Sequence, residues 1–214
     1  MKVLLIDVCH TLYESNTTFD FLEFHLRGRK KYLFDRVRRN FVFRLINKIM
    51  LMTFKKDYMR YFCMSLLKGE PLVDLECSVK EFNKRITLIE PVVQFVNSIA
   101  HEYDKVCLIS GSIDFVVENL EFPFFINSRY ASKSSYSLKA SLYCDGKVYS
   151  DLLFKKRDKI IGMHSGHDIT FISDNYTDSE CISIVNKFVA VYRKNDLPSR
   201  RFWLEKGVNS CVEY

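Results

Sequence analysis

The chain has 214 residues, 48% of them hydrophobic, with 32 Lys and Arg against 26 Asp and Glu. That length holds one sizeable core, or a core domain with an inserted subdomain, and the composition excludes a disordered or fibrous chain. The net charge of +6 is unevenly placed: residues 27–60 carry twelve Lys and Arg against two Asp, a local +10 that leaves −4 for the remainder.

Residues 2–7, Lys-Val-Leu-Leu-Ile-Asp, read as a buried strand ending in Asp7 and a polar turn. From about Thr18 to Arg85 the pattern is helical, with hardly a glycine or proline except Gly28 and the Gly69-Glu70-Pro71 break. Between Phe34 and Met52 apolar residues recur at 34, 37, 41, 45, 49 and 52. Arg36, Asn40, Arg44 and Asn47 line another face, which predicts one basic amphipathic helix. Further helices are predicted at 55–67 and 72–86.

Glu90-Pro91 opens the next helix, since proline suits the first turn, and it runs to about His101. A strand at Lys105–Ile109, a helix at Ile113–Leu120 and a short strand at Phe124–Ile126 follow. Ser141–Ser150 reads as a hairpin closed by Asp145-Gly146. Helix 154–164, strand 168–173, helix 178–186, strand 188–192 and a last helix at Pro198–Lys206 complete an α/β alternation. Interrupted once by a long helical stretch, this pattern implies a parallel sheet with an inserted all-helical cap. The boundaries are 1–16 and 87–214 for the α/β core and 17–86 for the cap.

The chain begins directly with a strand-like run and lacks a signal-peptide layout. Seven cysteines (9, 63, 77, 107, 144, 181, 211) show no paired metal-ligand spacing, and several sit inside apolar runs. Reduced thiols in a cytosolic protein are therefore expected rather than a disulfide framework.

Four short pieces carry polar chemistry at or just past the ends of apolar runs: Asp7-Val-Cys9-His10-Thr11, Ser110-Gly111-Ser112, Lys155-Lys156 and Asp174-Asn-Tyr-Thr-Asp178. A parallel sheet gathers such residues at its carboxyl edge, where these sheets bind ligands. A carboxylate, a hydroxyl, an ammonium and a second carboxylate pair make a site for metal-assisted phosphoryl chemistry. Asp7 is a nucleophile or metal ligand, with a turn cap as the plainer role. Ser110 precedes Gly111-Ser112 at a helix start, where hydroxyl and N–H groups hold a phosphoryl group or simply cap the helix. Asp174 suits a hard cation, and Asp178 caps the next helix or braces the metal site. Lys155, Lys156 and Lys159 compete for the ammonium role. Lys156 is favoured, because Ile160 four residues on continues the buried face, and its charge would stabilise both carboxylate and phosphate.

As a set, Asp7-x-x-x-Thr11, Ser110, Lys156 and Asp174-x-x-x-Asp178 resemble the haloacid dehalogenase (HAD) superfamily of aspartate-nucleophile phosphatases. Cys9-His10-Thr11-Leu12, Ile109-Ser110-Gly111-Ser112 and Ser173-Asp174-Asn175-x-x-Asp178 look like its phosphoserine-phosphatase-like branch, subfamily IB with a helical C1 cap. The resemblance implies an α/β, Rossmann-like core and Mg²⁺-dependent phosphomonoester hydrolysis. Asp7 would attack phosphorus to form an aspartyl-phosphate that water then hydrolyses, splitting one hard displacement into two. It further implies Mg²⁺ held by Asp7, the backbone carbonyl of Cys9, Asp174 and waters, with Asp178 beside them. Phosphate would be held by Ser110, Gly111 and Lys156.

Position 9 departs from the family, whose phosphatases carry a second Asp there as general acid and base. Cys9, with an unperturbed thiol pKa near ~8.5, is a weak acid, and losing a general acid–base costs about 10²–10⁴-fold. Three readings stay open: a slow phosphatase acting on good leaving groups, a phosphotransferase or dehalogenase-like variant, or a catalytically weakened phosphate-binding or regulatory protein. His10 is a further proton source.

Phe41–Phe54 is too short and too charged to span a bilayer. Its basic flanks and an apolar face with three Phe and two Met suit a helix lying in a membrane interface, against the alternative of a helix packed on its neighbours. The expected partners are a phosphorylated small-molecule or lipid substrate and a peripheral membrane contact through the basic helix 34–54. That places the protein in the cytoplasm, touching the inner face of the membrane. Nucleic acid is not expected, because the basic residues spread around helices with no binding module.

Overall fold

In the computed structural model, which describes residues 1–138 and 140–214, strand β1 spans Lys2–Ile6 and Val3, Leu4, Leu5 and Ile6 are all fully buried. Burial on both faces is what a central parallel strand requires. β1 pairs in parallel with β2 (Lys105–Ile113) on one side and with β5 (Asp168–Ser173) on the other. With β3 (Ser128–Leu138), β4 (Leu142–Ser150), β6 (Lys187–Tyr192) and β7 (Ser210–Glu213) the order is β4-β3-β2-β1-β5-β6-β7. All neighbours are parallel except β3 and β4. The chain builds one flank through β2 and β3, then crosses to the other through β5, β6 and β7. The order thus reverses between β1 and β5, the switch point at which such sheets open a crevice. Asp7 stands at that point, its N–H bonded to the carbonyl of Ile172 at 2.9 Å.

Five helices are inserted after β1: α1 (Thr17–His25), α2 (Gly28–Arg39), α3 (Phe41–Phe54), α4 (Tyr58–Ser65) and α5 (Leu72–Asn83). The chain leaving the core is clipped to the chain returning. Ile89 N–H donates to Leu12 C=O at 2.8 Å, and Glu14 N–H donates to Thr87 C=O at 3.0 Å. Phe21, Leu22, Phe34, Leu75 and Phe82 of the insertion share one apolar cluster with Leu4, Ile6 and Phe115 of the sheet side. Helices α6 (Glu90–Ile99), α7 (Asp114–Asn119), α8 (Lys156–His164) and α9 (Leu197–Glu205) belong to the core. The other sheet face buries Val3, Leu5, Phe171, Ile160 of α8 and Trp203 of α9.

Four local expectations differ from the structure. The helix predicted across 34–52 is two helices, because Asn40 leaves the helical region (φ −70°, ψ 114°) and its side chain accepts from Phe43 N–H at 2.9 Å. Asn40 so ends α2 and caps α3, a position that favours its short amide. The hairpin turn lies between β3 and β4, ahead of Leu142. Asp145-Gly146 instead falls inside β4 where the register shifts. Gly146 sits at φ +69°, and a side chain there would collide with the Ser65 backbone. No strand forms at 124–126, after Pro123. Pairing starts at Asn127, whose N–H and side chain both bond Val106, while Phe122 and Phe124 pack on the core. Tyr176–Ile184 is a 3₁₀ helix where an α-helix over 178–186 was expected, and the terminal strand β7 had no expectation.

On α3 a polar residue faces in and the apolar stripe faces out. Asn47, expected on the polar face, is buried: its Nδ2 donates to Asp57 Oδ1 at 3.0 Å and its Oδ1 accepts from Met59 N–H at 2.9 Å. Leu45, Ile49 and Met52 face solvent. Asn47→Ala leaves the Met59 N–H without that acceptor and should cost about 1–3 kcal/mol in denaturant unfolding. Amide exchange should accelerate across α3 and the start of α4 and stay unchanged in β1 and β5.

Candidate active site

The carboxyl ends of β1, β2 and β5 and the first turn of α8 converge on a cavity of about 240 Å³. Asp7, Cys9, His10, Ser110, Gly111, Lys156 and Asp174 line it from the core. Asn16, Thr18, Phe19, Asp57 and Arg60 line it from the insertion. Of the residues singled out from the sequence, Thr11, Lys155, Lys159 and Asp178 stand outside this lining, Asp178 behind Lys156.

Lys156, its side chain 4% exposed, places Nζ 2.9 Å from Asp7 Oδ1 and 2.7 Å from Asp178 Oδ2. Burial opposes a charge on this amine, but Asp178 and Asp7 outweigh it and hold Lys156 above the ordinary lysine range. Lys155 is exposed, and the Lys159 ammonium lies 5.5 Å over the Tyr130 ring. Asp178 Oδ2 also accepts from Ser173 Oγ at 2.6 Å. Asp178 is thereby committed to orienting Lys156, and it neither meets the cavity as a metal ligand nor caps the following turn. That cap is Asn175, whose Oδ1 accepts from Thr177 N–H at 3.1 Å.

Asp7 is buried, and burial, with Asp178 and Asp174 adding to it and Lys156 opposing, pushes its carboxyl up to about 7. Asp174 is pushed up to about 6, chiefly by burial. Thr11 Oγ1 donates to Asp174 Oδ1 at 2.8 Å and accepts from Asp174 N–H at 3.0 Å. This clamp ties the β1 loop to the β5 loop across the switch point.

Asp7 Oδ1 is used by Lys156 and by Val8 N–H at 2.8 Å, and Asp174 Oδ1 by Thr11. Among the described residues, Oδ2 of each carboxylate accepts no hydrogen bond, and both residues line the cavity. Two hard oxygens at the edge of the same cavity fit Mg²⁺, which takes one or two carboxylates and keeps several waters. No three His, Cys, Asp or Glu side chains among the described residues converge to hold a metal by themselves, so backbone and water would complete the shell.

Ser110 is fully buried, but it does not open a helix. β2 runs on to Ile113 with a register shift between Ile109 and Ile113, and α7 begins only at Asp114. Ser110-Gly111-Ser112 is therefore an irregular strand segment that re-aims its side chains toward the cavity, as bulges do. Ser110 Oγ accepts from Ser112 N–H at 3.1 Å. The expected anion site at a helix N-terminus is absent here; the hydroxyls and backbone of the bulge stand in its place.

Cys9 Sγ lies 3.1 Å from Thr17 Oγ1. Thr17 Oγ1 donates to Ser112 Oγ at 2.7 Å, and Thr18 Oγ1 lies 2.8 Å from the same oxygen. Burial and then the Asp7 charge push the Cys9 thiol up, so it keeps its proton at neutral pH. His10, held in the left-handed region (φ 56°), is exposed at the cavity rim.

The sequence reading missed Arg60, which is 3% exposed. Its Nη1 pairs with Asp151 Oδ1 at 2.8 Å, its Nη2 donates to the Gly111 carbonyl, and its Nε has no partner among the described residues. Ser132 Oγ bonds the same Gly111 carbonyl at 2.9 Å and Asp151 at 3.2 Å. The available signal was phase: Arg60 lies three and four residues before the buried Cys63 and Met64, on the inward stripe of α4.

No protein-family model matches this chain, and neither does any curated protein sequence. Solved structures do. A phosphoserine phosphatase captured as a phospho-aspartyl intermediate analogue is 18% identical, with a TM-score of 0.61 over 100% of this chain and 93% of that one. The chain has the fold of the haloacid dehalogenase phosphatases. A HAD family hydrolase from Salmonella enterica serovar Typhi, 13% identical, aligns with a TM-score of 0.62 over 99% of this chain and 67% of its own. A protein of unknown function from Bordetella pertussis Tohama I is 17% identical, with a TM-score of 0.68 over 99% and 97%.

Within that fold Lys156 is the hub of the site. Lys156→Met removes the counterion of Asp7 and Asp178 and should cost about 3–5 kcal/mol in urea unfolding at neutral pH. Lys155→Met should stay within about 0.5 kcal/mol of wild type.

Proposed function

We propose that the protein is a cytoplasmic, Mg²⁺-dependent phosphomonoester hydrolase acting through an aspartyl-phosphate on Asp7, on a small or lipid-linked phosphate. The observation that carries this reading is Lys156 bridging Asp7 and Asp178, with Asp174 in the same cavity at the switch point. A lone structural ion pair would not require a second carboxylate beside it with one oxygen left free of hydrogen bonds among the described residues.

Lys156 and Val8 N–H hold Asp7 Oδ1 and so fix the carboxylate at the cavity wall. A bond from the Asp7 carboxylate to phosphorus forms as the ester P–O bond breaks and the leaving oxygen departs with the electron pair. Water then attacks the same phosphorus, the bond to Asp7 breaks, and inorganic phosphate leaves with the carboxylate restored. Ser110 and the Gly111-Ser112 backbone face the phosphoryl oxygens, and Lys156 balances their charge. Mg²⁺, held by Asp7, Asp174 and the Cys9 carbonyl, would neutralise the repulsion between carboxylate and phosphate.

Cys9 stands where the resemblance calls for a general acid and base. Its thiol, protonated and bonded to Thr17, offers no base to the attacking water. That observation favours a second reading, a phosphate-binding protein with weakened turnover. The two separate on an activated aryl phosphate, whose leaving group needs no proton. Wild type should release a burst of one phenolate per active site and then turn over slowly. Asp7→Asn should remove burst and turnover, and EDTA should do the same reversibly. Cys9→Asp should raise the steady-state rate by about 10²–10⁴-fold. Absence of both burst and turnover in wild type, with activity appearing in Cys9→Asp, would establish the binding role.

A further inference from the structure

Helix α3 turns its apolar side away from the protein. Val42, Leu45, Ile46, Ile49 and Met52 form one exposed stripe along 14 residues, with Phe41 exposed at its start. The inward side is occupied by Asn47, bonded to Asp57 and Met59, and by Phe43 against Phe62. Contiguous apolar surface on a monomer marks an interaction site, and this one lies within the segment of local charge +10. Arg36, Arg39, Arg44, Lys48 and Lys56 form no ion pair with any described residue, so their charge is unspent. An apolar stripe on a helix about 21 Å long, flanked by uncompensated cations, is complementary to one surface above others.

We propose that α3 docks the protein on an anionic lipid bilayer, with the Val42–Met52 stripe in the headgroup–acyl boundary and the flanking cations on lipid phosphates. A second copy of the chain suits this face poorly, because two such basic segments would repel. A polyanion would engage the cations and leave the stripe in water. Docking also places the catalytic cavity beside the lipid surface. Asp57, bonded to Asn47 of α3, lines that cavity, and Phe19 lines both the cavity and the basic recess formed by Arg38, Arg44 and Lys48. The inference goes beyond the hydrolase reading and does not depend on it.

The test is co-sedimentation of the full chain with vesicles of phosphatidylcholine and phosphatidylglycerol, against phosphatidylcholine alone. Binding should require the anionic lipid and weaken at about 0.5 M salt. The double substitution Ile46→Ser with Ile49→Ser should lower the partition coefficient at least about tenfold. Arg44→Gln with Lys48→Gln should lower it about fivefold for each cation lost. Both variants should keep the wild-type circular dichroism and the wild-type rate on a soluble aryl phosphate, so a failed hydrolase assay would leave the vesicle result readable. Three outcomes overturn the proposal. One is no binding to anionic vesicles at low salt. Another is binding that the Ile substitutions leave unchanged, the mark of a purely electrostatic surface. The third is a concentration-dependent dimer that the Ile substitutions abolish.

Discussion

Lys156 carries a positive charge that has been taken out of water and set between Asp7 and Asp178, and the rest of the site is arranged to keep it there. An unpaired ammonium at that depth would give up its proton, and unpaired carboxylates would take one up. The three groups come from the first turn of α8, the end of β1 and the turn after β5, so one electrostatic triad holds three chain segments in register. Ser173 fixes Asp178 from below, and Thr11 fixes Asp174 alongside. The sheet supplies the frame: only where strand order reverses do the ends of β1 and β5 separate enough to leave a crevice.

Around that frame the insertion is packed on, not merely tethered. Its apolar residues share a cluster with α7 and the sheet, and Arg60 reaches across to Asp151 and the Gly111 carbonyl. That carbonyl belongs to the bulge carrying Ser110. A residue of the insertion therefore bears on the geometry of a cavity-lining segment of the core, and the Ser132 hydroxyl supports the same carbonyl from the strand side.

How much of this was legible in the sequence depended on the range of the interaction. Strand-end residues are announced locally: an apolar run stops, and Asp7, Ser110 or Asp174 follows. Lys156 was separable from Lys155 and Lys159 by phase with Ile160. The Ser110 segment looked like a helix start because Ser-Gly-Ser suits a cap as well as a bulge, and only pairing with β3 decides between them. Asp145-Gly146 was ambiguous in the same way, a turn signal placed inside a strand by the close approach of α4. In α3 the apolar stripe is legible but its direction is not. Periodicity finds a stripe but not which side faces in, and one amide, Asn47, decides it by satisfying Asp57 and Met59. Arg60 was not singled out, because its partner lies 91 residues away.

The clip between Leu12-Glu14 and Thr87-Ile89 carries a consequence for how such a protein changes over time. The insertion leaves and re-enters the core through adjacent, hydrogen-bonded strands, so its two ends meet at one doorway. Segments whose ends lie together can be lengthened, shortened or exchanged while the scaffold outside stays put. The core residues that line the cavity are anchored on the far side of that doorway, around β1, β2, α8 and β5. The five helices can therefore drift in sequence and refit to new molecules while the chemistry beneath them remains where it is.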